Sequence, residues 1–478
     1  MNYNHDDKKR NVLQKTIVIL FWLCVWQLAA ALTHNRILLV GPLQVGMAFL
    51  QNLFNPDFYK IVFFSLARIG EGFFCALFIG IFLGAVSYRF ALSEMFLTPL
   101  ITTLKSIPVA SFVVLLIIWF GSGRLSFLIS FLIVFPHIYV STIAGLKSTD
   151  KQLLEMAEVF DMSRANRIFY LYRPALMPYL ISSLKISLGM SWKSGVAAEV
   201  IGMPAYSLGE RLYMSKIYLD TAGLFAWTLL IILLSFLFEK TVLYIVEKFA
   251  AWNPYPKIGN IKNDDSADCR AVHIGHVSKA YGEQQVLKDW SFTFEPGAHY
   301  CLMAPSGGGK TTLLRLINRT VQMNEGTIEG VPSRIGMVFQ EDRLCDAYDT
   351  ITNVMITMRN PKDRTEGGIT DGQTINGISK TEAVNMVREE ALHILPEECL
   401  SKPVSELSGG MKRRCAILRA MLSEADMIIM DEPFTGLDEE NRRRTAAYIL
   451  ERLHGRTLVV TTHREEDVEL LSAVKVEL

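Results

Sequence analysis

Three stretches of the chain carry residue types and spacings suited to phosphate chemistry. The first is Ala304-Pro305-Ser306-Gly307-Gly308-Gly309-Lys310-Thr311-Thr312. Glycines let backbone N–H groups close around phosphate oxygens, and a helix starting there adds favourable partial charge. A strand over His299–Met303 leads in from the Pro296-Gly297 turn, and a helix bearing Leu313, Leu314, Leu316 and Ile317 leads out. Strand, loop and helix are the setting a Walker A loop requires: Lys310 would reach the β- and γ-phosphates, and the Thr311 hydroxyl would ligand Mg²⁺. Ala304 stands where the first glycine is usual, which is tolerable if its φ is negative. The second stretch, Met427-Ile428-Ile429-Met430-Asp431-Glu432, is an apolar strand ending in two carboxylates. Asp431 would hold Mg²⁺ through water, and Glu432 would polarise an attacking water. The third, Leu407-Ser408-Gly409-Gly410, is a second phosphate-binding loop, one more than a single nucleotide needs.

In this order the three stretches resemble those of ATP-binding cassette (ABC) proteins. The resemblance implies that ATP and Mg²⁺ are the cofactors and that Ser408, Gly409 and Gly410 form the signature loop. In that family this loop meets the ATP held by a second chain, so two ATPs are sandwiched in a dimer. Further residues fall in the family's order. Tyr281 would stack on adenine, with a plain surface aromatic as the alternative. Gln340, in Val338-Phe339-Gln340, fits the loop that senses Mg²⁺ and the docked permease helix. Asp438, in Gly436-Leu437-Asp438, fits the loop that crosses the dimer, and His463, after a strand over Leu458–Thr461, fits the histidine on the γ-phosphate. Glu432, His463 and Gln340 are thus the expected catalytic residues, and Thr311, Gln340 and Asp431 the expected metal site. Met411 stands where glutamine is frequent. Lys412, Arg413 and Arg414 open the next helix and read as a solvated or docking face.

The elements that must position these residues occupy only part of the chain. Its 478 residues suffice for two or three domains. With 48 basic and 48 acidic residues, bulk charge gives no sign of a nucleic-acid partner. Charge is sparse before about residue 250 and dense after it, as in a membrane half followed by a soluble half. We expect a permease domain over residues 1–252, a tether over 253–270 set off by Pro254 and Pro256, and a nucleotide-binding domain over 271–478. Short apolar runs alternating with helical patterns make the last an α/β fold with a mostly parallel sheet. The polar segment 361–380 reads as a loop. The seven cysteines show no paired spacing and read as reduced, mostly buried thiols.

A hydrocarbon core needs about 20 apolar residues in helix, with roughly 17–25 workable. Thr16–Leu32, Gly72–Tyr88, Ser106–Gly123, Leu125–Leu146 and Ala222–Phe238 carry no charge, and Ile186–Met203 is interrupted only by Lys193 and Glu199. That gives about six helices in an all-α polytopic domain, with Ala91–Leu104 as a lead-in to the third. The first segment reads as a retained helix, with a signal peptide ending at Ala29-Ala30-Ala31 as the alternative. Lys8, Lys9 and Arg10, and the basic residues of the 147–173 connection, place the N-terminus and that loop in the cytoplasm. Six spans return the C-terminus and the ATPase domain to the cytoplasm, so the expected location is the cytoplasmic membrane of a prokaryote with both termini inside.

Within the loop over about 147–175, Glu155-Met156-Ala157 and Pro174 resemble the coupling loop of ABC importer permeases, which docks a short helix on the ATPase. Glu155 and Ala157 are the coupling residues so implied; Met156 replaces an alanine, and Asp161 stands where glycine is usual. The wider stretch through Ile107-Pro108, Trp119-Phe120-Gly121 and Ala198–Gly202 is similar to permeases of the nitrate/sulfonate/taurine branch. A mid-bilayer charge costs about 2.5–3.5 kcal/mol, so Lys193 and Glu199 should face the bundle interior or a wet cavity. They lie about 240° apart around a helix and cannot pair with each other. Structural pairing with other helices is the preferred reading for both, and a place on the solute pathway is the alternative. The resemblance implies a type I importer fused to its ATPase and acting as a homodimer in the lipid bilayer. A separate extracytoplasmic binding protein would deliver a small-molecule substrate, an anion such as a sulfonate, taurine or nitrate. A pyrimidine or vitamin-precursor importer, an exporter and a mechanotransmission protein are the alternatives.

Overall fold

The computed structural model describes residues 3–33, 35, 37–253, 256, 259–260, 270–305, 307–360, 374–375 and 378–478. Ser306, Cys269, most of the 253–270 tether and most of the 361–380 loop lie outside the described residues, as do the side chains of Lys8, Lys9 and Arg10. The chain divides into two compact units, residues 1–148 with 175–252, and residues 149–174 with 253–478. The segment expected as the loop of the first domain therefore packs as part of the second unit.

The first unit is all helical: α1 (Tyr3–Thr33), α2 (Pro42–Leu53), α3 (Pro56–Arg89), α4 (Ala91–Ser106), α5 (Val109–Phe120) and α6 (Leu125–Lys147) precede the 149–174 segment. That segment holds α7 (Lys151–Val159); α8 (Arg173–Gly202), α9 (Leu208–Ile217) and α10 (Thr221–Ala251) follow it. Local chemistry sets the helix ends. Asn55 caps α3 by accepting from the Asp57 N–H, with Pro56 at the first turn. Ser207 and Glu210 form a reciprocal capping box on α9. Small residues let α3 and α6 touch: a Cβ at Gly72 would sit 2.3 Å from the Phe127 carbonyl oxygen.

Among the described residues four helices are long and apolar enough to cross a membrane, within Thr16–Thr33, Pro56–Arg89, Ser122–Lys147 and Thr221–Ala251. The α4–α5 pair, bent by 110° at a short break, raises the number to five. This departs from the expected six in two places. The segment at Ser106–Gly123 is half of the bent pair, because Pro108 disfavours helix at Ile107. The segment at Ile186–Met203 lies in the 30-residue α8, which is long enough but carries Arg173, Lys185, Lys193 and Glu199. Ile17, Phe21, Phe63, Phe78, Phe82 and Ile232 are all more than half exposed, as expected where lipid rather than water is the solvent.

In the second unit β1 (Val272–Tyr281), β2 (Gln284–Phe294) and β4 (Glu325–Glu329) form an antiparallel sheet in the order β2-β1-β4. The larger sheet joins β3 (His299–Met303), β5 (Ile335–Val338), β6 (Met427–Asp431), β7 (Thr457–Thr461) and β8 (Val474–Glu477) in the order β8-β3-β7-β6-β5. Its pairings are all parallel, for example Leu458 with His299 and Met427 with Thr457. Parallel neighbours need crossovers. The helices α11 (Lys310–Ile317), α12 (Thr350–Met355), α13 (Lys380–Leu392), α14 (Gly409–Leu422), α15 (Glu439–Arg452) and α16 (Glu465–Leu470) lie between or after the strands. Every residue of β5, β6 and β7 is buried. Their side chains alternate between two cores: Ile428, Met430, Leu458 and Val460 pack with α14, while Met427, Ile429 and Val459 pack with Leu313 and Leu314 of α11.

Candidate functional site

The C-terminal ends of three adjacent strands, β3, β7 and β6, bring the phosphate-type residues together, which is where parallel α/β sheets hold ligands. After β3 the backbone turns through positive φ at Gly307 (83°) and Gly309 (86°). A Cβ on Gly309 would lie 2.8 Å from Leu287 Cδ2 and 2.9 Å from the Val286 carbonyl oxygen, so no other residue fits. Ala304 is not among the residues with positive φ, which meets the condition for its methyl. Pro305, Gly308 and Thr312 complete the described part of the loop.

Lys310 opens α11, and its ammonium donates to the Ala304 carbonyl at 2.6 Å and the Pro305 carbonyl at 3.4 Å. His463 Nδ1 is 3.4 Å away. Burial lowers the Lys310 pKa, while Glu432 and Asp431 oppose the shift. The buried Asp431 accepts from Thr311 Oγ1 at 2.8 Å and from Thr461 Oγ1 at 2.6 Å. Thr311 and Asp431 thus offer a pair of converging oxygens, the donor type a hard divalent cation takes, so these residues fit Mg²⁺.

Glu432 follows at φ 49°, a left-handed conformation that costs a residue with a Cβ about 1–3 kcal/mol. Its N–H is held by Thr461, through the carbonyl at 3.2 Å and Oγ1 at 3.0 Å. The side chain is thereby aimed at the loop after β7, where His463 Nε2 lies 2.8 Å from Glu432 Oε1.

The signature residues occupy a different place. Ser408 caps α14 by accepting from the Met411 N–H, and Gly409 and Gly410 form its first turn. Asp438 caps α15, and hydrogen bonds from Asn441 hold its carboxyl below the usual range. Ser408, Gly409, Gly410, Asp438 and Gln340 line one open cleft of about 590 Å³. Among the described contacts none joins the signature residues to Lys310 or Thr311. Tyr281 ends β1, is 47% exposed, and has the Lys279 ammonium 5.1 Å from its ring centre.

Two arginines correct the expectation of a solvated face on α14. Arg413 and Arg414 are buried, at 3% and 7% exposure. Arg413 donates to the carbonyls of Phe339, Gln340, Asp431, Glu432 and Pro433 and pairs with Asp342 at 3.1 Å. These carbonyls belong to the last residue of β6 and to the loops after β5 and β6, and one planar fork satisfies them. Arg414 donates to the Ile394 carbonyl and Asn441. The missed signal is the apolar set Cys415–Leu418 with Ala420 and Met421: residues on every side of the helix are buried, and Arg413, Arg414 and Arg419 are buried with them.

The 149–174 segment is seated in this same unit. Glu155 of α7 pairs with Arg343 at 2.8 Å, and the Arg343 guanidinium stacks over Phe339, 4.1 Å from the ring centre. Met156 and Ala157 are fully buried, Met156 against the core that includes Met337 and Ala157 beside Cys345, Tyr348 and Ile356. Arg173 donates to the Tyr348 hydroxyl at 3.2 Å, and that hydroxyl donates to the Phe169 carbonyl at 3.3 Å. Asp161 adopts φ 43°, which explains why glycine is usual there. Burial pushes the thiols of Cys301, Cys345 and Cys415 up to about 12, so they are inert.

In the first unit Glu199 is fully buried and accepts from Ser65 Oγ at 2.8 Å and the Gly209 N–H at 3.3 Å, while Ser65 accepts from the Leu208 N–H. The carboxyl side chain and this serine thus satisfy the first N–H groups of α9. Lys193 lies on an exposed stripe of α8 with Ile186, Met190 and Ala197.

Comparison with known proteins agrees with both units. The family described as "ABC transporter" matches residues 287–435. The family "Binding-protein-dependent transport system inner membrane component" matches residues 76–249. The Nod factor export ATP-binding protein I of Paraburkholderia xenovorans (strain LB400) is 34% identical over 217 residues, covering 42% of this chain and 65% of that protein. Its namesake in Rhizobium etli is 33% identical over 232 residues, covering 45% of this chain and 67% of that protein. The dimeric structure of a bacterial ABC transporter cassette is 23% identical, covers 43% of this chain and 94% of its own, and has a TM-score of 0.36. The chain therefore spans about two thirds of the length of these curated relatives.

Proposed function

The chain belongs to the ABC transporter family, and from that premise we propose that it uses ATP hydrolysis to import a small solute as a homodimeric fusion of permease and ATPase. The observation that carries this reading is the seat of the 149–174 segment on the ATPase unit, with Glu155 on Arg343 and Ala157 buried beside Tyr348. A loop threaded between two permease helices and packed against the nucleotide-binding fold is what a coupled machine needs.

In this reading Lys310 exchanges its carbonyl partners for the β- and γ-phosphates, and the N–H groups from Pro305 to Thr312 close around them. Thr311, Asp431 and Gln340 would hold Mg²⁺, which would supply charge neutralisation on the phosphates. Glu432 orients a water and takes its proton as the oxygen attacks the γ-phosphorus and the bond to the leaving ADP oxygen breaks. His463 steadies Glu432 and the γ-phosphate. Ser408, Gly409 and Gly410 complete the site of the second chain, Asp438 lies beside it, and Tyr281 stacks on adenine. The separate places of Lys310 and Ser408 within one chain support this composite site.

An extracytoplasmic binding protein delivers the solute, a small anion of the sulfonate, taurine or nitrate kind. ATP turnover of the reconstituted protein, measured with each candidate binding protein and its ligand, tests the reading. Turnover indifferent to all of them sinks it. The second reading is outward transport, favoured by the export name of the relatives above; flux in vesicles of defined orientation separates the two.

A further inference from the structure

We infer that the cavity where α4 and α5 break against α6 and α8 is a binding site for a small organic anion, with Lys105 setting its charge selectivity and His137 hydrogen-bonding the anion. The cavity has a volume of about 380 Å³, and small-molecule sites run from about 300 to 1,000 Å³. It forms beside Ile107, where the chain leaves α4 and the helix axis turns by 110° into α5. Irregular backbone at membrane depth is tolerated only where protein covers it or it lines a cavity.

The charge of the lining has one sign. Among the described residues Lys105 is the charged side chain of the lining, His137 stands with it, and no acidic residue lines the cavity. Lys147 of α6 has a carboxylate partner, Glu94 at 2.7 Å. Lys105 has no ion pair among the described residues. His137 sits midway along α6, about 18 Å from Leu125 and about 15 Å from Lys147 at ~1.5 Å per residue. An ionisable group in mid-span is costly and is kept where it faces a partner or a solute. Ser194 adds a hydroxyl donor, while Phe112, Ile133 and Met190 supply apolar wall. This combination takes an acidic head at Lys105, His137 and Ser194 and a compact apolar body against the rest. Lys193 does not line the cavity, so the cationic contact with solute moves from Lys193 to Lys105, with the His137 imidazole as a hydrogen-bonding partner beside it. The site deepens the transport reading and rests on it only for calling its ligand the transported solute.

Equilibrium binding to the full-length protein in nanodiscs tests this, with labelled ethanesulfonate as probe and its uncharged analogue ethyl methyl sulfone as control. Wild type should bind ethanesulfonate at least tenfold more tightly than the sulfone. Lys105→Ala with His137→Ala should abolish the preference, and Lys105→Arg should keep it, at unchanged melting temperature and ATP affinity. Equal binding of the two probes, no binding of ethanesulfonate, or a preference that survives the double substitution overturns the proposal. If the double variant melts early, the wild-type comparison and Lys105→Arg decide alone. Vesicle flux separates this site from the direction of transport. Outward movement of ethanesulfonate that needs Lys105 sinks import and keeps the site. Inward solute movement indifferent to Lys105→Ala sinks the site and keeps import.

Discussion

His463 Nε2 stands 2.8 Å from Glu432 Oε1, and this contact ties the loop after β7 to the strained residue that ends β6. The two side chains should therefore act as a unit. Glu432→Gln keeps the shape and removes the proton acceptor, so ATP turnover should fall by about 10²–10⁴-fold while ATP still binds. The variant should trap ATP in the dimer, read as labelled ATP that stays with the protein through size-exclusion chromatography. Adding His463→Ala to Glu432→Gln should cost much less than it does in the wild type, because members of one catalytic unit are not additive. Wild-type turnover in Glu432→Gln would remove Glu432 from the chemistry.

A composite ATP site makes a sharper prediction about pairs of chains. Lys310→Ala breaks the loop side of both sites in a homodimer. Gly409→Asp places a negative charge on the signature side, in open space where a Cβ meets nothing within 4 Å. Each variant alone should be inactive, whereas the mixed dimer retains one intact site. Co-expression and tandem purification of the mixed dimer should recover up to about half of wild-type turnover. No recovery would argue against sharing of sites between chains.

Arg413 is the fork that holds the loops after β5 and β6 together. Arg413→Ala leaves the Phe339 and Asp431 carbonyls without a donor, at about 1–3 kcal/mol for each buried unsatisfied group. Arg413→Lys should not rescue it, since one ammonium cannot reproduce a planar fork. Thermal unfolding of the full-length protein reads this as a drop in melting temperature for both variants. A melting temperature matching the wild type would show the fork to be dispensable.

Glu155 and Arg343 should be energetically coupled, but modestly. The Glu155 side chain is 49% exposed and the Arg343 side chain only 4%, so solvent screening limits the pair to about 1 kcal/mol. Glu155→Ala should leave basal ATP turnover intact and reduce its stimulation by a loaded binding protein. A double-mutant cycle with Arg343→Ala measures the coupling. Independent effects of the two substitutions would mean that the contact transmits nothing.

Glu199 should matter to the fold more than to the solute. Glu199→Ala removes the acceptor for Ser65 and for the Gly209 N–H in a buried site, so the melting temperature should fall. Glu199→Gln keeps one acceptor oxygen and should be milder. Solute affinity is expected to stay within twofold in both; a tenfold loss in Glu199→Gln at unchanged stability would return this residue to the pathway.

Much of the protein is local chemistry and was legible as such. The strand, glycine turns and helix around Lys310, the apolar strand before Asp431-Glu432, and the long uncharged runs each declare themselves over a few neighbouring residues. So did the oddity of Asp161, whose left-handed φ is the reason a glycine is usual there. What could not be read depends on which distant residues meet. Three consecutive cations at Lys412–Arg414 look like a wetted surface until the loops after β5 and β6 set their carbonyls beside Arg413 and the Ile394 carbonyl, after α13, meets Arg414. That the 149–174 segment docks on the ATPase was expected from its resemblance, but that Glu155 meets Arg343, far along the chain, was not legible. Lys105 and His137 drew no notice as single residues on separate helices, and only the break at Ile107-Pro108 sets them around one cavity. Propensity, turns and caps are fixed by neighbours in sequence, so the chain alone determined them. Burial of charge and convergence of polar groups are set by packing between distant segments, and those only the tertiary structure decided.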